Sequence, residues 1–117
     1  MQIVHDYEIT YSHKFEDRTK FEKHLRESKA DEILIIKNGL VTDTSFTNII
    51  FSDGTKYFTP STPLLKGTKR ARLIEEGIIQ VEEIGLNDIQ KFQHFYLINA
   101  LLDLSEEKKF SIEKIIL

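Results

Sequence analysis

Three features predict an α+β fold: a mixed, largely antiparallel sheet with hairpins and short flanking helices. Asn38-Gly39 and Asp53-Gly54 each join apolar runs, and both pairs tolerate the positive φ of a tight turn. Apolar residues at strand spacing recur along most of the chain, broken by only short stretches of helical spacing. Two hairpins among mixed strands and helices argue against a doubly wound parallel sheet.

The elements follow in order. Tyr7-Glu8-Ile9-Thr10-Tyr11 alternates apolar and polar residues and predicts a strand. Residues 17 to 28 predict a helix, with Asp17 able to cap it and Phe21 and Leu25 on one face. Glu32-Ile33-Leu34-Ile35-Ile36 predicts a buried strand that Asn38-Gly39 turns back. Phe46 to Phe51 predicts the next strand, and Asp53-Gly54 turns it into Thr55-Lys56-Tyr57-Phe58. Pro60 and Pro63 mark a loop. Gly67-Thr68 then opens a short helix that Gly77 can close. A strand over Ile78 to Ile84, a short helix from Asn87, a strand over His94 to Ile98 and a last strand near Ile112 to Ile116 complete the chain.

Composition bounds the function. A chain of 117 residues with 40% apolar and 10% aromatic residues suits one modest core, so residues 1–117 are expected to form a single domain. Lys plus Arg number 16 against 19 Asp plus Glu, a formal charge of -3, and no basic excess points to nucleic acid. Cysteine is absent, which removes disulfides, thiol nucleophiles and thiolate metal ligands. The histidines His5, His13, His24 and His94 lack metal-ligand spacing, and no metal is expected. No signal-peptide pattern and no membrane-length apolar run occurs, so the expected location is the cytoplasm.

Four places combine residue types that carry chemistry. Lys14 follows the first predicted strand, where a desolvated amine could attack an aldehyde; a solvated surface lysine is the plain alternative. Asp43 precedes Thr44, Ser45, Thr47 and Asn48, and its carboxylate could pair with a pyridinium nitrogen or close a local Asx turn. Lys66-Gly67-Thr68-Lys69-Arg70 opens a helix, whose free N–H groups favour an anion, with Lys69 and Arg70 adding charge. Asn99 stands alone among apolar residues in Leu97-Ile98-Asn99-Ala100-Leu101, facing either a ligand or a neighbouring backbone group.

The order of these pieces resembles the fold-type IV pyridoxal-phosphate enzymes, the branched-chain and D-amino acid aminotransferases and the aminodeoxychorismate lyases. Val41 to Ile49 with Thr59-Pro60 is the strongest part, and Asn99-Ala100 is similar to the lyase branch. The resemblance runs from about Ile9 to Leu104. It implies the C-terminal, cofactor-binding domain of the D-amino acid aminotransferase-like fold, with pyridoxal 5′-phosphate as cofactor. By position, Lys14 would form the internal Schiff base and shuttle the substrate proton. Asp43 would meet the pyridine nitrogen, while Gly67, Thr68 and Lys69 would present backbone to the phosphate. Asn99 and Ala100 would edge the same pocket, with Arg18, Ser45 and Asn48 in supporting roles.

The resemblance further implies a homodimer acting on an amino acid, a keto acid or aminodeoxychorismate. Three departures accompany it. Asp43 stands where the family usually has glutamate, Gly-Thr-Lys-Arg replaces Gly-Ile-Thr-Arg at the helix start, and the family's N-terminal domain is expected to be absent. A catalytically inactive or truncated domain of the family is therefore the alternative reading, and an unrelated α+β interaction module is the third.

Overall fold

The computed structural model describes residues 1–5, 33–105 and 108–115. The predicted strand at 7–11, the helix at 17–28, Lys14 and Arg18 lie outside the described residues.

The strands are β1 (Gln2–His5), β2 (Ile33–Lys37), β3 (Leu40–Thr44), β4 (Asn48–Ser52), β5 (Tyr57–Pro60), β6 (Gln80–Glu82), β7 (His94–Ile98) and β8 (Phe110–Ser111). Among the described residues one α-helix, α1 (Thr68–Glu75), lies between β5 and β6. The strands form two sheets, a three-stranded one ordered β1-β2-β3 and a five-stranded one ordered β6-β5-β4-β7-β8. β1 runs parallel to β2, and β5 parallel to β6; the remaining pairings are antiparallel. The mixed, mainly antiparallel α+β architecture expected from the sequence is thus present, divided between two sheets.

Alternation along each strand builds the layers. Leu34 and Ile36 of β2 meet Ile49 and Phe51 of β4 and Phe95 of β7 in the core between the sheets. Ile33 and Ile35 point to the other face of the small sheet and pack on Leu64. Ile50, Tyr96 and Ile98 face outward from the large sheet and are covered by Leu73 of α1. The Ile-Leu-Ile-Ile run of β2 is apolar throughout because both its faces are covered, and all four residues are fully buried.

The turns behave as their residues dictate. Asn38 and Gly39 have φ of 54° and 78°, the left-handed pair that closes a two-residue hairpin. Asp53 Oδ1 accepts the N–H of Thr55 at 2.9 Å and of Lys56 at 2.8 Å, closing the second turn. These bonds, together with the Thr55 hydroxyl, hold the Asp53 carboxyl below the usual carboxylate range.

Four elements differ from expectation for local reasons. The strand expected from Phe46 starts at Asn48, because Thr44 and Thr47 close a turn in which Thr47 N donates to Thr44 Oγ1 at 3.0 Å. The strand expected over Ile78 to Ile84 shrinks to Gln80–Glu82, because the N–H groups of Ile78 and Ile79 end α1 by bonding Leu73 O. The helix expected from Asn87 is a 3₁₀ turn over Leu86–Lys91, tied at its start by Gly85 N donating to Asp88 Oδ2. The last strand, expected near Ile112 to Ile116, gives way to a 3₁₀ turn over Ile112–Lys114 once Ser111 Oγ accepts from Glu113 N. Strand β1 has no counterpart among the expected elements; four residues of mixed polarity carry too little periodicity to announce it.

Two substitutions test this packing. Phe51 is fully buried between the sheets and stacks on Phe92 at 5.2 Å between ring centroids. Phe51→Ala is expected to lower unfolding free energy by about 3–5 kcal/mol in urea titration. Gly39→Ala meets no atom within 4 Å but must hold a φ of 78°. Its expected cost is backbone alone, about 1 kcal/mol.

Candidate functional site

The site begins with an irregularity in the small sheet. Leu34 pairs with Thr44 and Ile36 with Val41, so Ile35 alone opposes both Thr42 and Asp43. This is a β-bulge, which re-aims the side chains of the longer strand. Thr42 Oγ1 donates to Ile35 O at 2.7 Å across the irregularity. Asp43 is left fully buried. Its Oδ2 accepts the backbone N–H of Leu64 and of Leu65, each at 3.1 Å. Two of its backbone partners thus lie 21 and 22 residues downstream.

The segment from Pro60 to Gly67 that Asp43 grips feeds α1, and it is held elsewhere too. Asn48 Nδ2 donates to Leu65 O at 2.8 Å, and Thr62 Oγ1 donates to Val41 O at 3.1 Å. Gly67 is the N-cap of α1, with extended backbone and no side chain to close the helix. A Cβ there would run into Asn48 Oδ1, and the Asn48 side chain would have to move to admit one. The first intrahelical bond of α1 is donated by Ala71 to Gly67 O at 3.1 Å. The N–H groups of Thr68, Lys69 and Arg70 precede that ladder and stand at the positive end of the helix dipole.

These pieces line one cleft of about 530 Å³, whose wall includes Asn48, Leu65, Gly67, Thr68, Asn99 and Ala100. Five of the residues singled out from the sequence, from three separate stretches of chain, thus meet on one concavity. Asp43 lies directly behind Leu65. Ser45 is buried, 5% exposed, beside the Thr44–Thr47 turn. A second hollow, of about 370 Å³, opens beside the first hairpin at Lys37 and Asn38 and gathers none of the residues assigned to the cofactor site.

Asn99 shapes the far rim. Its Oδ1 accepts from Leu101 N at 2.8 Å and Leu102 N at 2.9 Å, and its Nδ2 donates to Phe46 O at 3.4 Å. Of the two roles open from the sequence, the backbone role is visible here. Phe46 and Leu101, which Asn99 ties together, stand 46% and 91% exposed at the cleft mouth.

The cations at the helix start are disposed differently from the expectation that they add charge for an anion. Lys69 Nζ pairs with Asp103, which holds the Asp103 carboxyl below its usual range. Arg70 turns inward: it is 7% exposed and donates from Nη2 to Pro60 O at 3.1 Å. The side chains of Lys69 and Arg70 are thus engaged by protein groups, while the backbone N–H of Lys69 keeps its place in the first turn. Sequence reading gives Arg70 only as added charge for an anion and passes over Asp103. An arginine beside an apolar helix stripe is the available signal for Arg70; Asp103 has none, because its pairing depends on how the chain folds back.

Among the described residues, no group of three His, Asp or Glu side chains is placed to hold a metal. No helix among them is long and apolar enough to cross a membrane.

Comparison with known proteins places the chain in a family. The profile of the family described as "Amino-transferase class IV" matches residues 12–106. An uncharacterised protein of Haemophilus influenzae is 47% identical over 95 residues, covering 80% of this chain and 50% of the relative. The solved structure of a protein described as a 4-amino-4-deoxychorismate lyase, from Haemophilus somnus, is 41% identical with a TM-score of 0.82, covering 89% of this chain and 54% of that one. A protein of Mesorhizobium loti described as an amino-acid aminotransferase shares the fold at 22% identity and a TM-score of 0.70, over 88% of this chain and 55% of that one. The chain spans about half the length of each of these relatives. By its matched residues and its architecture, the chain belongs to the class IV aminotransferase family.

Proposed function

We propose that this chain is the cofactor-binding part of a pyridoxal 5′-phosphate-dependent enzyme, an amino acid transaminase or an aminodeoxychorismate lyase. The carrying observation is the meeting of Asn48, Gly67, Thr68, Asn99 and Ala100 on one cleft at an uncapped helix start. The residues present suit a phosphorylated pyridine. Backbone N–H groups at the first turn of α1 suit a phosphate. Gly67 brings no side chain of its own to that wall, Asn48 Oδ1 stands beside it, and a buried carboxylate lies behind Leu65.

Pyridoxal 5′-phosphate bound there would supply an electron sink for chemistry at the substrate α-carbon. The remaining tasks belong to this chain. Thr68 and Lys69 hold the anion through backbone N–H groups. Asp43 would be the acceptor for the ring nitrogen. Lys14 would supply the amine for the cofactor aldehyde and a base for the substrate α-proton. Asn99 keeps the far rim in shape, and Arg18, Ser45 and Asn48 support the surroundings. The 41% identity to the Haemophilus somnus protein and the Asn99-Ala100 pair favour the lyase branch. The reading carries with it a homodimer in the cytoplasm, and the exposed Phe46 and Leu101 at the cleft mouth suit coverage by a further subunit or domain.

An absorbance titration with pyridoxal 5′-phosphate tests the lysine. A band near the visible edge is expected in the wild type and lost in Lys14→Ala; its absence from the wild type, or its survival in the variant, overturns the assignment. Amino transfer to a keto acid would identify the transaminase, and cleavage of aminodeoxychorismate the lyase.

Gly67→Ala tests the cradle. The added methyl must displace Asn48 Oδ1 and disturb its bond to Leu65 O. The expected cost is about 1–3 kcal/mol of stability, with cofactor affinity weakened about tenfold or more. Unchanged cofactor affinity by fluorescence titration would remove Gly67 from the site.

A further inference from the structure

We infer that Arg70 is the counter-ion of Asp43 and positions its carboxylate for the pyridine end of the cofactor, an assignment that rests on the function proposed above. Arg70 sits on α1 at 7% exposure although its neighbours Ala71 and Arg72 are exposed. Among the described residues its guanidinium has one hydrogen-bond acceptor, the neutral carbonyl of Pro60, and its buried Nε–H has none. A cation taken from water against one neutral acceptor is costly, and a nearby negative charge is the usual compensation.

Asp43 is placed to give it. The carboxylate is fully buried and takes the N–H groups of Leu64 and Leu65, while Arg70 takes the carbonyl of Pro60. The two opposite charges therefore grip the same short segment from its two ends. Burial pushes the Arg70 guanidinium down from its ordinary range, and the charge of Asp43 opposes that shift. A guanidinium serving only to hold Pro60 would act through a neutral carbonyl, and its contribution would be independent of the charge at position 43. A counter-ion would not be independent of it.

That difference gives the test. Urea midpoints are measured for the wild type, Arg70→Met, Asp43→Asn and the double variant, without cofactor. Arg70→Met is expected to lower the midpoint in the wild type and by less than half as much in the Asp43→Asn background. Additive losses overturn the pairing. If Arg70→Met does not fold, recovery of folding in the double variant is the expected coupling, and failure of both overturns it.

The positioning role is read by comparing pyridoxal 5′-phosphate with its 1-deaza analogue, which has carbon in place of the ring nitrogen. Arg70→Met is expected to weaken the phosphopyridine about tenfold and the analogue by less than about threefold, with Arg70→Lys keeping most of the wild-type preference. Equal losses for the two ligands would make Arg70 a merely structural residue. Wild type that binds neither ligand overturns the positioning role and the cofactor reading together, while the stability cycle still decides the pairing.

Discussion

A carboxylate with no access to water must find its partners inside the protein, and here it finds the backbone of a loop. Asp43 Oδ2 takes two N–H groups from consecutive residues, Leu64 and Leu65. Hydrogen bonds to a charged acceptor are worth about 1.5–3 kcal/mol each, and leaving such a group unsatisfied costs at least as much. The bulge at Thr42 and Asp43 brings the carboxylate to that loop, which spans from the end of β5 to α1. Through those two bonds the small sheet sets where the helix of the large sheet begins. Asn48 repeats the constraint from the other sheet by holding Leu65 O. The loop is thereby fixed from both layers before any ligand arrives.

That arrangement explains why the helix start is left open. Gly67 cannot cap it, and the nearest polar side chain, Asn48, is committed to Leu65 O. The first turn holds no acidic residue. The nearby cations are also committed, Lys69 to Asp103 and Arg70 to the interior. Attraction for an anion therefore rests on backbone N–H groups and the helix dipole, with the exposed Lys66 beside them. Such a site is preorganised, because backbone donors do not have to be ordered on binding as long side chains do.

Much of this is legible in the residues, and the boundary between what is and is not is physical. Asn38-Gly39 announces its turn because few other residues accept the required φ, Asp53-Gly54 because the aspartate bonds the backbone after it and Gly54 takes a positive φ, and the apolar β2 run announces a strand covered on both faces. Gly67-Thr68 announces the helix start. The direction of Arg70 is hidden, since a basic residue near a helix start reads the same whether it faces water or the core. The pairing of Lys69 with Asp103 spans 34 residues and leaves no local trace. The 3₁₀ turn near Ile112 escapes because one serine bond decides it against strand-like apolar spacing. The bulge escapes because its signature is a register difference between two strands, which no single strand displays.

The same geometry bears on aspartate at position 43, where the sequence resemblance implies glutamate. A longer side chain reaches further into a cleft but loses more rotamer freedom when held there. Asp43 holds one conformation through the Leu64 and Leu65 N–H groups, close to its own strand. The loop forms part of the cleft wall, and the carboxylate stands behind it. Restoring glutamate alone would lengthen the arm without moving the wall, pressing its carboxylate against the backbone it is meant to hold. The shorter acid and the position of the 60–67 segment are thus one structural choice, and a change at either needs a matching change at the other.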